Sequence, residues 1–386
     1  VCGTSYRFKY TVTPPLFAGD AEPNNGAPGA PTVHDTYVDG NLQFDGESTY
    51  DYYNIVPPHN GVMNIEVQAE HVGGSPGTID MVLYTTAGIT IQTWSVPVGA
   101  NSTATTTTVS ILCRSSTTDY DLRFATTTCG VSYRWKYTMT APLFANDLEP
   151  NNGAGGSTEA HDTWYEGQIG FDNQTDDDYY NLVPAHNGVM HIQVEAEHVG
   201  ASPGAVNVTL FTTAGIVIQS WTITAGANGV PVDTVVSVPC RSFTTDYDLR
   251  FQDVTCGVSY RWKYTMTAPF FANDVEPNNS AGGSTEADST WYEGQIGFDD
   301  QTDDDYYNLV PAHNGVMNIQ VEAEHVGASP GTVNVALFTT AGIAIQSWVM
   351  TVGANGVPVD TMVSVPCRSF TTDYDLRFQD VTCGVS

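Results

Sequence analysis

Apolar and polar residues alternate along much of the chain. Met190, Ile192, Val194 and Ala196 take every second position, and His191, Gln193, Glu195 and Glu197 lie between them. A period of two puts one set on each face of a β-strand, with the apolar face turned to a core. Val206, Val208 and Leu210 against Asn207 and Thr209 repeat the pattern. Tyr133, Trp135, Tyr137 and Met139 against Arg134, Lys136 and Thr138 repeat it with aromatic residues. Strands are predicted over 132–140, 163–170, 178–184, 188–198, 205–213, 216–224, 233–240 and 246–253. Gly, Pro, Asn and Asp separate them, and no helical period of useful length occurs, so the expected class is all-β, built as β-sandwiches.

The pattern repeats every 127 residues. Cys2, Cys129, Cys256 and Cys383 keep that step, as do Cys113, Cys240 and Cys367, and Glu22, Glu149 and Glu276. Three tandem domains of 127 residues are therefore expected, at 1–128, 129–255 and 256–382, with 383–386 opening a further repeat. A unit of this length can bury its own core.

Charge narrows the partners. With 43 acidic and 12 basic side chains the formal charge is −31, which repels nucleic acid and anionic membrane surfaces. No run of about 18 apolar residues is present, so no membrane span is expected. All the basic residues fall at four repeated positions, those of Arg7, Lys9, Arg114 and Arg123 and their copies. The body of each unit, such as 144–239, is acidic throughout, and cations or basic surfaces are its natural partners.

The run Asn146-Asp147-Leu148-Glu149-Pro150-Asn151-Asn152, then Gly167-Gln168-Ile169, Asp176-Asp177-Asp178-Tyr179-Tyr180 and a closing Asp246-Tyr247-Asp248-Leu249-Arg250-Phe251 resembles the bacterial pre-peptidase C-terminal (PPC) domain family. The resemblance implies a small jelly-roll-like sandwich in secreted bacterial proteins, usually an accessory module appended to proteases, and it does not imply catalysis. In collagen-binding relatives the acidic linker and the DxDY loop form calcium sites. The matching residues are Asp147, Glu149, Asn151, Asn152, Asp176 and Asp178 in the second unit, and Asp274, Glu276, Asn278, Asn279, Asp303 and Asp305 in the third. Carboxylates and amides at this density suit Ca²⁺, which takes six to eight oxygens. In the first unit Asp20, Glu22, Asn24, Asn25 and Asp51 remain, but Thr49 replaces the first loop aspartate, which weakens or removes its site. The same residues also fit a turn capped by Asn side chains and a loop tied by Asp178.

Seven cysteines at fixed spacing, with no CxxC pair, read as disulfides in an oxidising, extracellular or cell-surface setting. Two pairings fit the period. One joins Cys113 to Cys129, Cys240 to Cys256 and Cys367 to Cys383; the other joins Cys2 to Cys113, Cys129 to Cys240 and Cys256 to Cys367. The first is favoured because its loops are shorter. Sequons at Asn101, Asn173, Asn207 and Asn278 are candidate glycosylation sites.

Six of the nine histidines lie in turns or at strand ends, His34, His161 and His191 are scattered, and none recurs beside a nucleophile, so no catalysis is expected. The connector carrying Tyr133, Trp135 and Tyr137, repeated as Tyr260, Trp262 and Tyr264, is either the first strand of its own sandwich or a strand that binds the preceding unit. The expected function is the repeating body of an extracellular fibre or stalk whose partner is itself. The alternative is a set of accessory modules binding collagen or polysaccharide beside a secreted hydrolase.

Overall fold

The computed structural model describes residues 5–20, 24, 26–44, 49–147, 153, 158–173, 177–273, 280–281, 285–300 and 304–386. The chain is all-β, arranged as successive β-sandwiches. In the second unit one sheet orders the strands Thr158–Glu159, Asp177–Leu182, Tyr247–Asp253, Gly204–Thr212 and Val217–Ala225. The other orders Tyr165–Ile169, Val258–Thr267, Gly188–His198 and Val232–Arg241. The two-residue strand pairs parallel; the other pairs are antiparallel. Alternation works as the sequence predicts: Met190, Ile192, Val194 and Ala196 are sealed in the core with Val206, Val208 and Leu210.

The aromatic connector joins the unit that precedes it. Val258–Thr267 lies between Tyr165–Ile169 and Gly188–His198, paired Ala196 to Tyr260, Val194 to Trp262 and Ile192 to Tyr264. Val131–Thr140 takes the same central place in the first unit. Of the two readings of the connector, binding to the preceding unit is the one adopted, with the strand inserted inside the sheet and not paired at its edge. The reason is burial: Tyr133, Trp135, Tyr137, Tyr260, Trp262 and Tyr264 are all 0 to 2 % exposed. Each fully covered ring contributes roughly 1.5 to 3 kcal/mol. The first two sandwiches are thus each closed by the strand that follows them, and we call this the closing strand.

At the two ends of the chain the pattern is open. In the third unit the second sheet is reduced to the pair Gly315–Ala323 and Val359–Arg368. Val385 makes only isolated bridges to Ile296 and His325. At the other end Ser5 to Val12, which carry the closing-strand sequence, form no strand, and their side chains are exposed.

The disulfides correct both expected pairings. Cys113 bonds Cys256 and Cys240 bonds Cys383, each across 143 residues. Cys129 and Cys367 are free and exposed, so neither the Cys113–Cys129, Cys240–Cys256 and Cys367–Cys383 set nor the set beginning Cys2–Cys113 is formed. The short-loop argument fails because the cysteine ahead of a closing strand sits at the junction with the unit before. There it meets a cysteine that is remote in sequence. Gly257, at φ 72°, follows Cys256; a Cβ there would lie 2.9 Å from the Cys113 sulfur, so only glycine fits without strain.

Candidate functional site at the domain junctions

The same junction is built twice. Arg114, at the end of the first unit's Thr105–Arg114 strand, lies with Nη1 3.1 Å from Asp172 Oδ1 of the second unit, both side chains nearly excluded from water. The Tyr120 hydroxyl donates to Asp172, and the Ser115 amide donates to Asp172 Oδ2 at 3.1 Å. Asn60 Nδ2 donates to Gln168 Oε1 at 2.9 Å. The next junction repeats this with Arg241–Asp299 at 3.1 Å, Tyr247, Ser242, and Asn187 to Gln295 at 2.8 Å. Burial, then the hydrogen bond to the neighbouring aspartate, raises the Tyr120 and Tyr247 hydroxyl pKa values. A buried carboxylate that accepts from a guanidinium, a phenol and an amide has its charge compensated on several sides. With the Cys113–Cys256 and Cys240–Cys383 bonds, each junction is covalent, ionic and hydrogen-bonded.

Sequence reasoning missed Asp172 and Asp299 as junction residues, although the 127-residue step relates them and Arg114 was already isolated as a repeated cation. Nothing local marks such a pair, because each partner looks like an ordinary surface charge until two units meet.

A second cluster lies beneath the closing strand. The Tyr260 hydroxyl donates to Asp178 and lies 3.1 Å from the Tyr180 hydroxyl; Asp178 is fully buried. Burial, then the charge of Asp178, drives the Tyr180 and Tyr260 pKa values upward, and Asp147 adds to the effect at Tyr180. In the first unit Tyr133 donates to Asp51 at 2.5 Å, and Tyr53 is raised by burial and by Asp51 and Asp20. Asn24 Nδ2 lies 3.5 Å from Asp20 Oδ1 and 3.4 Å from the Tyr53 hydroxyl.

Of the calcium candidates, then, Asp147 and Asp178 both act on Tyr180. Asp305 is buried in the third unit. Glu149, Asn151, Asn152, Asp176, Asp274, Glu276, Asn278, Asn279 and Asp303 lie outside the described residues. The oxygen donors of Asp147 and Asp178 suit a hard cation, and Asp178 is also engaged by a tyrosine.

The remaining candidates are simpler. His71, His198 and His325 each place Nδ1 2.6 to 2.7 Å from a backbone carbonyl four residues on, and His59 and His186 place Nδ1 2.8 Å from the carbonyl of the next residue. His325 also lies beside Cys240 and Cys383, whose sulfurs are bonded to each other. Asn101 sits exposed in a turn, whereas Asn207 is half-buried and accepts from Thr222 at 2.8 Å. The side chain of Asn173 and all of Asn278 lie outside the described residues.

No protein-family model matches the chain, and no curated protein matches it. Among solved structures, the tandem CBM22-1-CBM22-2 domain of Paenibacillus barcinonensis Xyn10C is 15 % identical, with 55 % of this chain and 81 % of that one covered and a TM-score of 0.20. Sulfolobus Turreted Icosahedral Virus gives 9 % identity, 91 % of each chain and a TM-score of 0.18. Tripeptidyl Peptidase 2 gives 11 %, 92 % of this chain, 30 % of that one and 0.23. At these values none carries an argument about what this chain binds or does. The fold itself is that of successive β-sandwiches, and its two disulfides fit an oxidising compartment.

Proposed function

We propose that the chain is the structural body of an extracellular or cell-surface fibre or stalk, a non-catalytic array of sandwiches whose partner is itself. One observation carries this reading: both junctions between successive units use the same buried Arg–Asp–Tyr contact and the same disulfide. A module that only binds a ligand needs no such locking to its neighbour, and independent domains are ordinarily separated by flexible linkers. Here the closing strand ends at Thr140, and Leu143 and Phe144 already donate backbone N–H groups to Glu197 and Ser259 of the next unit. Calcium, held by the carboxylates near Tyr180, would neutralise part of an otherwise self-repelling acidic body.

The experiment is electron microscopy of the native material joined to limited trypsinolysis. Stiff linear rods are expected, with trypsin cutting first after the exposed Arg7 and Lys9 and only slowly within the strands. Beads on a flexible string, cut rapidly into pieces of about one unit, would return the argument to independent collagen- or polysaccharide-binding modules.

A further inference from the structure

A buried histidine stands beside the junction disulfide. A ring nitrogen of His325 and the sulfurs of Cys240 and Cys383 all lie within 4.8 Å of one another. His198, Cys113 and Cys256 are the same three residues one repeat earlier. Both rings are nearly sealed, 6 % exposed at His198 and 7 % at His325. Glycine backbone packs against each of them: a Cβ on Gly200 or Gly327 would lie 2.5 or 2.4 Å from the ring carbon Cε1.

The ring proton is placed by its partner. His198 Nδ1 lies 2.7 Å from the Ser202 carbonyl, and His325 Nδ1 lies 2.6 Å from the Ser329 carbonyl. A carbonyl only accepts, so Nδ1 carries the hydrogen, and in the neutral ring Nε2 keeps a lone pair. Neither Nε2 has a hydrogen-bond partner, although both are buried. An unpartnered buried acceptor is destabilising, and here it recurs at equivalent positions. Nδ1–H given to a backbone carbonyl while Nε2 stays open is the way a metal-ligating histidine is usually held.

Two sulfurs and an imidazole nitrogen suit one class of ion. As thiolates with a neutral imidazole they favour Zn²⁺, four-coordinate with Zn–S about 2.3 Å and Zn–N about 2.0 Å, which sets the ligand atoms roughly 3.3 to 3.8 Å apart. Once the disulfide is opened, shifts of about 1 Å bring all three atoms into that range. Charge balances too, because two thiolates cancel a divalent cation and the buried site gains no net charge. The rest of the junction does not depend on the sulfur bond. Arg114 still meets Asp172 and Asn60 still meets Gln168. Gly257, next to Cys256, donates its N–H to the Gly170 carbonyl at 3.0 Å and accepts from Val199 at 3.1 Å.

We propose that each junction is also a zinc site: with its disulfide reduced, Cys113, Cys256 and His198 Nε2 bind one Zn²⁺, and Cys240, Cys383 and His325 Nε2 bind another. Cys256 and Cys383 are half-buried, which leaves a fourth position within reach of water. A dithiol opens the disulfide, giving two cysteine thiols and the cyclic disulfide of the reductant. As the Zn–S bonds form, the two thiol protons pass to solvent, and the Nε2 lone pair makes the third bond. A small disulfide reverses this: the zinc leaves, the cysteines rejoin, and two protons end on the two thiols released. Successive units are then joined by metal before oxidation and by sulfur after it. The inference goes beyond the fibre reading and does not depend on it.

The test uses the full 386-residue chain carrying Cys2→Ser, Cys129→Ser and Cys367→Ser, so that the four junction cysteines are the only thiols. The protein is reduced with a dithiol, freed of it under argon, and titrated with Co²⁺ as the spectroscopic substitute for Zn²⁺. Excess Ca²⁺ keeps the carboxylates occupied. Two Co²⁺ per chain are expected, with thiolate-to-cobalt charge-transfer absorption that Zn²⁺ abolishes, and the oxidised chain should show none. His198→Gln with His325→Gln should weaken Co²⁺ binding by about tenfold or more, while the oxidised variant still yields the Cys113–Cys256 link on peptide mapping. Nitrogen NMR of isotope-labelled histidine in the reduced parent needs no histidine variant: Zn²⁺ should shift Nε2 of His198 and His325 and leave His59 and His186 in place. Absorption no stronger in the reduced chain than in the oxidised one, undiminished binding by the glutamine variants, or His198 and His325 resonances that Zn²⁺ does not move would overturn the proposal.

Discussion

Replacing Trp262 by alanine separates the unit a residue belongs to in sequence from the unit it stabilises. Trp262 stands at the head of the third sequence repeat, yet its ring is fully buried in the second unit. Its centroid is 4.8 Å from Tyr180, 5.7 Å from Tyr165 and 6.0 Å from Phe251. Truncating a buried tryptophan costs about 3–5 kcal/mol, the transfer of the ring plus the cavity left behind. For a domain near this size that lowers Tm by about 10–20 °C. The assay is calorimetry with hydrogen exchange on the intact chain. Slow amides of Gly188–His198 and Gly204–Thr212 should exchange on the order of 10²- to 10⁴-fold faster, while Gly331–Thr339 in the third unit should be unchanged. Trp262→Phe, which keeps most of the ring volume, should lose less. Faster exchange confined to the third unit would refute the assignment of the closing strand.

Three further outcomes are expected. Tyr53, Tyr180 and Tyr260 have folded pKa values above the ordinary tyrosine value of about 10, chiefly through burial. Their contribution is complete below that pH and is lost as pH rises above it, at about 1.4 kcal/mol per pH unit for each group. Alkaline unfolding should therefore begin near pH 10, and these phenols should ionise only with it, as followed by tyrosinate absorbance; ionisation with the fold intact would count against the buried cluster. Chelator should lower the Tm of the second unit more than that of the first, where Thr49 replaces an aspartate; equal melting with and without chelator would leave the turn-capping reading of these acids. Non-reducing peptide mapping should recover Cys113 linked to Cys256, and recovery of Cys113 linked to Cys129 would contradict the junction described above.

Much of this architecture follows from sequence alone. Period-two alternation at Met190 to Ala196 identifies a strand and its inward face, because side chains on a pleated backbone leave it no other choice. The 127-residue step of the cysteines establishes the repeat, and the aromatic alternation of Tyr133, Trp135 and Tyr137 shows that this strand must be buried. None of this says which core receives it. A strand with one apolar face fits either neighbouring sandwich equally well by pattern. The hydrogen bonds of Val131–Thr140 to Gly61–His71 decide the matter, and they join residues about 60 to 80 positions apart. The disulfides follow the same logic: chain separation favours Cys113 with Cys129, but once the closing strand docks backwards, Cys256 is carried to Cys113. Likewise Arg114 and Asp172 are ordinary surface charges in sequence and a buried pair only after two units meet. Local pattern determines strands and faces because those depend on neighbours in the chain. Partner choice depends on which surfaces exclude water together, and that is a property of the tertiary structure alone.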